Sequence, residues 1–122
     1  MYLGIDCSTQ SMSGMLYDSL THKIVSEISI EFKTRFPAFA FSGNSETAER
    51  VVNPLLWVLA LDELLSEFKK TGVNFSDIKG IGGAAQQHAT VYLNEHFQKP
   101  WAWKSDLCET VKPMLSMERS PI

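Results

Sequence analysis

The stretch YLGIDCSTQSMSGMLYD, Tyr2 to Asp18, decides the fold. Tyr2-Leu3-Gly4-Ile5 is nearly all apolar, as a strand buried on both faces should be. Gly14-Met15-Leu16-Tyr17 reads as a second strand. Between them Asp6, Ser8, Thr9, Gln10 and Ser11 place a carboxylate and hydroxyls in a short connection. Beyond a polar turn at Asp18 to Thr21, Ile24, Ile28, Ile30 and Phe32 share one parity, and Glu27, Ser29 and Glu31 the other. That alternation predicts a half-buried third strand. Short connections among three strands predict an antiparallel meander.

Further along, Asn53 is suited to cap a helix and Pro54 to occupy its first turn. Trp57, Leu61, Leu64, Leu65 and Phe68 recur at helical spacing. Lys69 and Lys70 suit the negative end of the helix dipole, and Gly72 ends the run. Ile78 to Ala85 reads as a strand, and Thr90 to Leu93 as one more. Three strands, a helix and more strands predict an α/β layered domain whose helix crosses over to a parallel neighbour. Thr34 to Val52, with Pro37, Gly43 and three phenylalanines, reads as an irregular loop. Asp106 to Leu115 has helical character that Pro113 weakens. Trp101 and Trp103 are large apolar residues in a polar neighbourhood.

At 122 residues the chain reads as one domain, large enough for its own core. Its composition, 44% hydrophobic and 20% charged, is that of a soluble globular protein. A net charge of -3 argues against a nucleic-acid surface. Cys7 and Cys108 make no disulfide framework and read as reduced thiols of a cytoplasmic protein. Asp6 interrupts the apolar start too early for a signal peptide. The apolar run Leu55 to Leu61 is far too short to span a bilayer, so no membrane partner is expected. His22, His88 and His96 show no metal-ligand spacing, and nothing beside Cys7 marks a base that would activate it.

Two segments carry chemistry. In Asp6 to Ser11, hydroxyls and turn N–H groups can meet an anion, and a carboxylate can hold hydrated Mg²⁺ that bridges phosphates. The same residues can equally make an Asx-type turn with no ligand. Gln86-Gln87-His88 supplies the donors and acceptors that a polyhydroxy substrate requires, or a histidine satisfied by backbone at a strand end. Gly80-Ile81-Gly82-Gly83-Ala84-Ala85 fits a loose dinucleotide fingerprint, but it does not open a helix. Its small residues better suit a strand that something approaches closely.

YLGIDCSTQS, NPLLWVLALDELL and GVNFSDIKGIGGAAQQHATVYL, in this order and spacing, resemble the start of an FGGY-family carbohydrate kinase, most nearly of its xylulose-phosphorylating members. The resemblance covers roughly the first hundred residues. It implies a ribonuclease-H-like, actin-like ATPase fold, of which residues 1–122 would be the N-terminal part of the first domain. It implies ATP and Mg²⁺ as cofactors and transfer of a phosphoryl group to a sugar hydroxyl, with D-xylulose the expected substrate. Another sugar, a polyol or a sugar acid is the alternative acceptor, and a non-catalytic module of the same fold the alternative role. By position, Asp6, Ser8, Thr9 and Gln10 match the first phosphate loop, with Asp6 near the metal. His88 matches a sugar-contacting histidine, and Gln87 stands beside it.

Two positions depart from the family pattern. Ser13 stands where a basic residue is usual, and Ala89 where a glycine usually follows the histidine. The family's catalytic Asp base is expected beyond Ile122, as is its ATP-binding second domain. The chain alone is therefore expected to be an inactive fragment whose unpaired sheet edge makes it self-associate or leaves it marginally stable.

Overall fold

The computed structural model describes residues 1–39, 42–43, 50–87 and 89–116. Its first strand β1 (Tyr2–Cys7) pairs antiparallel with β2 (Ser11–Asp18), which pairs antiparallel with β3 (Lys23–Glu31). The expected meander is present, and each strand runs beyond its apolar centre. A short helix α1 (Phe32–Arg35) follows, and then β4 (Ser42–Gly43) and β5 (Arg50–Val51) form a two-residue ladder. The long helix α2 (Leu55–Lys70) leads to β6 (Gly80–Ala85), which lies parallel to β1. The sheet order is β3-β2-β1-β6, so the crossover helix carries the chain across the meander to a parallel neighbour.

Local chemistry sets these boundaries. Asp18 closes the turn after β2, accepting from the Leu20 N–H at 2.9 Å and the Thr21 hydroxyl at 2.8 Å. Those two bonds hold its carboxyl below the usual carboxylate range, the Leu20 bond being the larger cause. The Asn53 side chain accepts from the Leu55 N–H at 3.0 Å and satisfies one of the orphan donors that every helix start leaves. Gly72, with φ +85°, takes the left-handed conformation that ends α2.

The core lies between α2 and one face of the sheet. Leu3, Met12, Leu16, Ile30 and Phe32 meet Leu56, Ala60, Leu64 and Phe68. Strand alternation puts Tyr2, Gly4, Asp6, Ser13, Met15 and Glu27 on the opposite, open face. The buried stripe of α2 is Leu56-Ala60-Leu64-Phe68; Trp57, Leu61 and Leu65 flank it half-buried. Relative to the sequence expectation the helix is thus rotated by about a residue at its start. Its first two turns are apolar all round, so periodicity there does not select one face. Gly14 sits at the closest approach: a Cβ there would lie 2.6 Å from the Phe68 ring and 3.0 Å from Leu64.

Three expectations need correction. Among the described residues β1 is not buried on both faces: Leu3 is buried, but Tyr2, Gly4 and Asp6 are exposed on the open side. Thr90 to Leu93 adds no strand to the sheet. Leu93 instead forms an isolated antiparallel bridge with Leu115, flanked by Asn94 N–H to Met114 O at 2.8 Å and Ser116 N–H to Tyr92 O at 2.9 Å. The β-branched and aromatic run was legible, but its partner lies at a distant point in the chain. The expected helix from Asp106 is only α3 (Leu107–Val111), capped by the Asp106 side chain at Cys108 N–H, 2.7 Å. Pro113 then falls in a single 3₁₀ turn, Lys112–Met114, since its ring cannot continue an α-helix. No helix among the described residues is long and apolar enough to cross a membrane.

Candidate functional site at the ends of the two parallel strands

The two polar segments singled out in the sequence are adjacent in space. β1 and β6 run side by side in register, Cys7 beside Ala85, and end together. The Gln86 N–H donates to the Cys7 carbonyl at 2.8 Å, which ties the second segment to the first. In open α/β sheets this is where ligands sit, in the crevice outside the carboxyl ends of the strands.

Ser8 builds the bend after β1. Its N–H donates to the Ser11 carbonyl at 2.8 Å. Its hydroxyl donates to the same carbonyl at 3.1 Å and accepts from the N–H groups of Gln10 at 3.2 Å and Ser11 at 3.1 Å. The turn expected of this segment is therefore made by Ser8, not Asp6, and two N–H groups already converge on an oxygen there. Thr9 makes no hydrogen bond to any described residue, and Thr9 and Gln10 are both exposed. These two present the donors still available to an anion.

Asp6 lies on the open face, between Ser13 and Ala84 in the register, beside Gly4 and Gly82. It lines a shallow cleft of about 650 Å³ together with Met15 and Glu27. Nothing larger than a methyl stands beside it on β6. An exposed carboxylate with this oxygen chemistry suits a hydrated hard cation such as Mg²⁺. Among the described residues no cluster of three potential metal ligands exists, so protein groups alone would not cage an ion. The Ser13 hydroxyl is bonded to that of Ser29 at 2.9 Å, so the position where a base is usual is engaged within the sheet.

Gln87 is exposed just past β6. His88 lies outside the described residues. Gln86, the first member of the amide-histidine trio read in the sequence, lines a cavity on the helix side with Trp57, Trp101 and Trp103. Its Oε1 and the Trp57 Nε1 are buried with no partner among the described residues. Spacing alone does not bring residue 57 to residue 86. Cys7 lines the same cavity, and burial first, then the neighbouring Asp6 carboxylate, raises its thiol above the ordinary value.

The fold and the comparisons define the class: this chain belongs with the FGGY-type sugar kinases. Curated relatives to which it is similar include D-xylulose kinase A proteins. D-xylulose kinase A of Aspergillus niger is 39% identical over 102 residues, 81% of this chain and 18% of its own. A probable D-xylulose kinase A of Aspergillus terreus is 32% identical over 121 residues, 97% of this chain and 20% of its own. A crystal structure described as a xyloylose kinase from Brucella ovis superposes with TM-score 0.62 at 23% identity, covering 78% of this chain and 18% of that one. That likeness shows the fold, and it bears out the actin-like expectation. The chain spans about a fifth of the length of the curated relatives it matches. No protein-family model matches it.

Proposed function

We propose that the whole protein is an ATP-dependent kinase that phosphorylates a hydroxyl of D-xylulose, and that this chain supplies one wall of its cleft. The observation that carries the reading is the in-register end of β1 and β6, which puts the Ser8 to Gln10 bend beside Gln86 and Gln87. Kinship with D-xylulose kinases supports the choice of sugar.

When bound, Mg-ATP supplies the phosphoryl group and the charge neutralisation of its transfer. The chain's own residues then have distinct tasks. Asp6, on the open face of the sheet, would hold a hydrated Mg²⁺ through water. The Thr9 hydroxyl and N–H, with Gln10, would hold phosphate oxygens. Ser8 keeps the bend rigid from within, which fixes the donors before any ligand arrives. Gln87 and His88 would contact sugar hydroxyls. No base for that hydroxyl is assigned to this chain, and the 122-residue polypeptide alone is proposed to be inactive.

A coupled assay on the complete gene product with ATP, Mg²⁺ and D-xylulose tests the reading. Turnover that Asp6→Asn lowers by about a hundredfold or more supports it. A second reading, a non-catalytic module of the same fold, is favoured by Ser13, whose hydroxyl is tied to Ser29 instead of a cation standing there. Absence of turnover and of ATP-dependent heat with every sugar and polyol tried would select that module.

A further inference from the structure

Neither Thr9 nor Gln10, at the tip of the bend after β1, takes a positive φ, so Ser8 to Ser11 is not one of the primed turns that usually close a two-residue hairpin. The Ser11 N–H, which a hydrogen-bonded turn would send to the Ser8 carbonyl, donates instead to the Ser8 hydroxyl oxygen at 3.1 Å. The Gln10 N–H donates to that same oxygen at 3.2 Å. Ser8 Oγ gives its own proton to the Ser11 carbonyl at 3.1 Å, so backbone donors take both of its lone pairs.

Convergent backbone N–H groups are what an anion seat is made of. Here an uncharged oxygen of the chain itself fills the seat. That oxygen hangs on one rotatable bond, and Ser8 and Ser11 are only half-buried, so a change of the Ser8 χ1 rotamer opens the seat. A phosphate oxygen is an acceptor of the same kind with charge added, and charge-assisted bonds are roughly twice as strong as the neutral ones they replace. Exchange of Ser8 Oγ for such an oxygen is therefore favourable for both donors. A sugar hydroxyl, being uncharged, gains nothing by displacing Ser8.

We propose that the Ser8 hydroxyl is an internal stand-in for a phosphate oxygen: it fills the seat made by the Gln10 and Ser11 N–H groups while no nucleotide is bound, and leaves it by χ1 rotation when nucleotide phosphate arrives. This rests on the phosphate reading of the bend. It adds two backbone donors to those of Thr9 and makes Ser8 a positioning residue, which keeps the donors convergent until they are needed.

The test uses the complete gene product, ¹⁵N-labelled at threonine, glutamine and serine, titrated with Mg²⁺ and a non-hydrolysable ATP analogue, and separately with D-xylulose. Backbone N–H signals are assigned by substitution at Thr9, Gln10 and Ser11. The analogue is expected to shift all three in the unmodified protein. In Ser8→Ala without ligand, the Gln10 and Ser11 amides are expected to exchange with solvent about tenfold faster or more, and the analogue to restore their protection. That variant is expected to bind the analogue at most about threefold more weakly than the unmodified protein. If Thr9 shifts while Gln10 and Ser11 do not, Ser8 keeps its seat with phosphate bound; the inference falls and the phosphate reading stands. If the analogue binds and none of the three shifts, both fall. A greater loss of affinity in Ser8→Ala, or the same Gln10 and Ser11 shifts with D-xylulose alone, also overturns the inference. Should Ser8→Ala not fold, the Gln10 and Ser11 shifts of the unmodified protein decide.

Discussion

Gln86 donates its backbone N–H to the carbonyl of Cys7 at 2.8 Å, one residue past the point where two parallel strands end side by side. That bond fixes the distance between the bend after β1 and the amide-rich segment after β6. It also divides their side chains. Asp6 faces the open side of the sheet, while Cys7 and Gln86 face the helix side.

The tight contact between β2 and α2 predicts an asymmetry between glycines. Gly14→Ala drives a methyl into Phe68 and Leu64 and is expected to cost about 1–3 kcal/mol in urea unfolding. Gly82→Ala, where a Cβ meets nothing within 4 Å, is expected to lose less than about 0.5 kcal/mol. Equal losses would show that α2 does not approach β2 as described.

Truncating the buried stripe of α2 separates two helical faces. Leu64→Ala, at a fully buried position, is expected to destabilise by about 2–5 kcal/mol, and half-buried Leu65→Ala by clearly less. Chemical denaturation of the two variants checks the order, and its reversal would show that Leu64 is not the more buried of the two.

The thiols set an alkaline limit. Burial raises Cys7 and Cys108 above the ordinary value of 9.0, so the folded chain holds protons that the unfolded chain releases first. Their contribution to stability is complete below that value and is lost as pH rises through the higher folded values. The melting temperature should therefore fall above about pH 9, and Cys7→Ala should reduce that fall. Maleimide labelling of Cys7 at neutral pH should be slower than that of a peptide thiol; labelling at the peptide rate would contradict the burial.

Among the described residues β6 pairs only with β1, leaving its other edge unpaired, and Ile81 on that strand is 66% exposed. An open edge is a template for another chain. Sedimentation velocity on the 122-residue chain is expected to show concentration-dependent association that Ile81→Lys suppresses. A monomer at every concentration, with or without the lysine, would count against edge pairing.

Much of this architecture is legible in the residues. The meander shows because alternation around Ile28 and Ile30 marks a buried face, although Ile24 is exposed past a register shift and Phe32 starts α1. The helix α2 shows because Asn53, Pro54 and Gly72 mark its ends. What failed to show depends on contacts distant in sequence. Leu93 meets Leu115, and Trp57 meets the wall that carries Gln86; no local pattern encodes either pairing. Asp6, Ser8, Thr9 and Gln10 were readable as a group because they are contiguous. Their division of labour was not, since it rests on which way the Ser8 hydroxyl turns.

The most direct measurement is a crystal structure of the complete gene product with Mg²⁺ and a non-hydrolysable ATP analogue. The account predicts the terminal phosphates within hydrogen-bonding distance of Thr9 and Gln10, with a metal-bound water on Asp6. Phosphates bound elsewhere, with the bend after β1 making no contact to them, would contradict it.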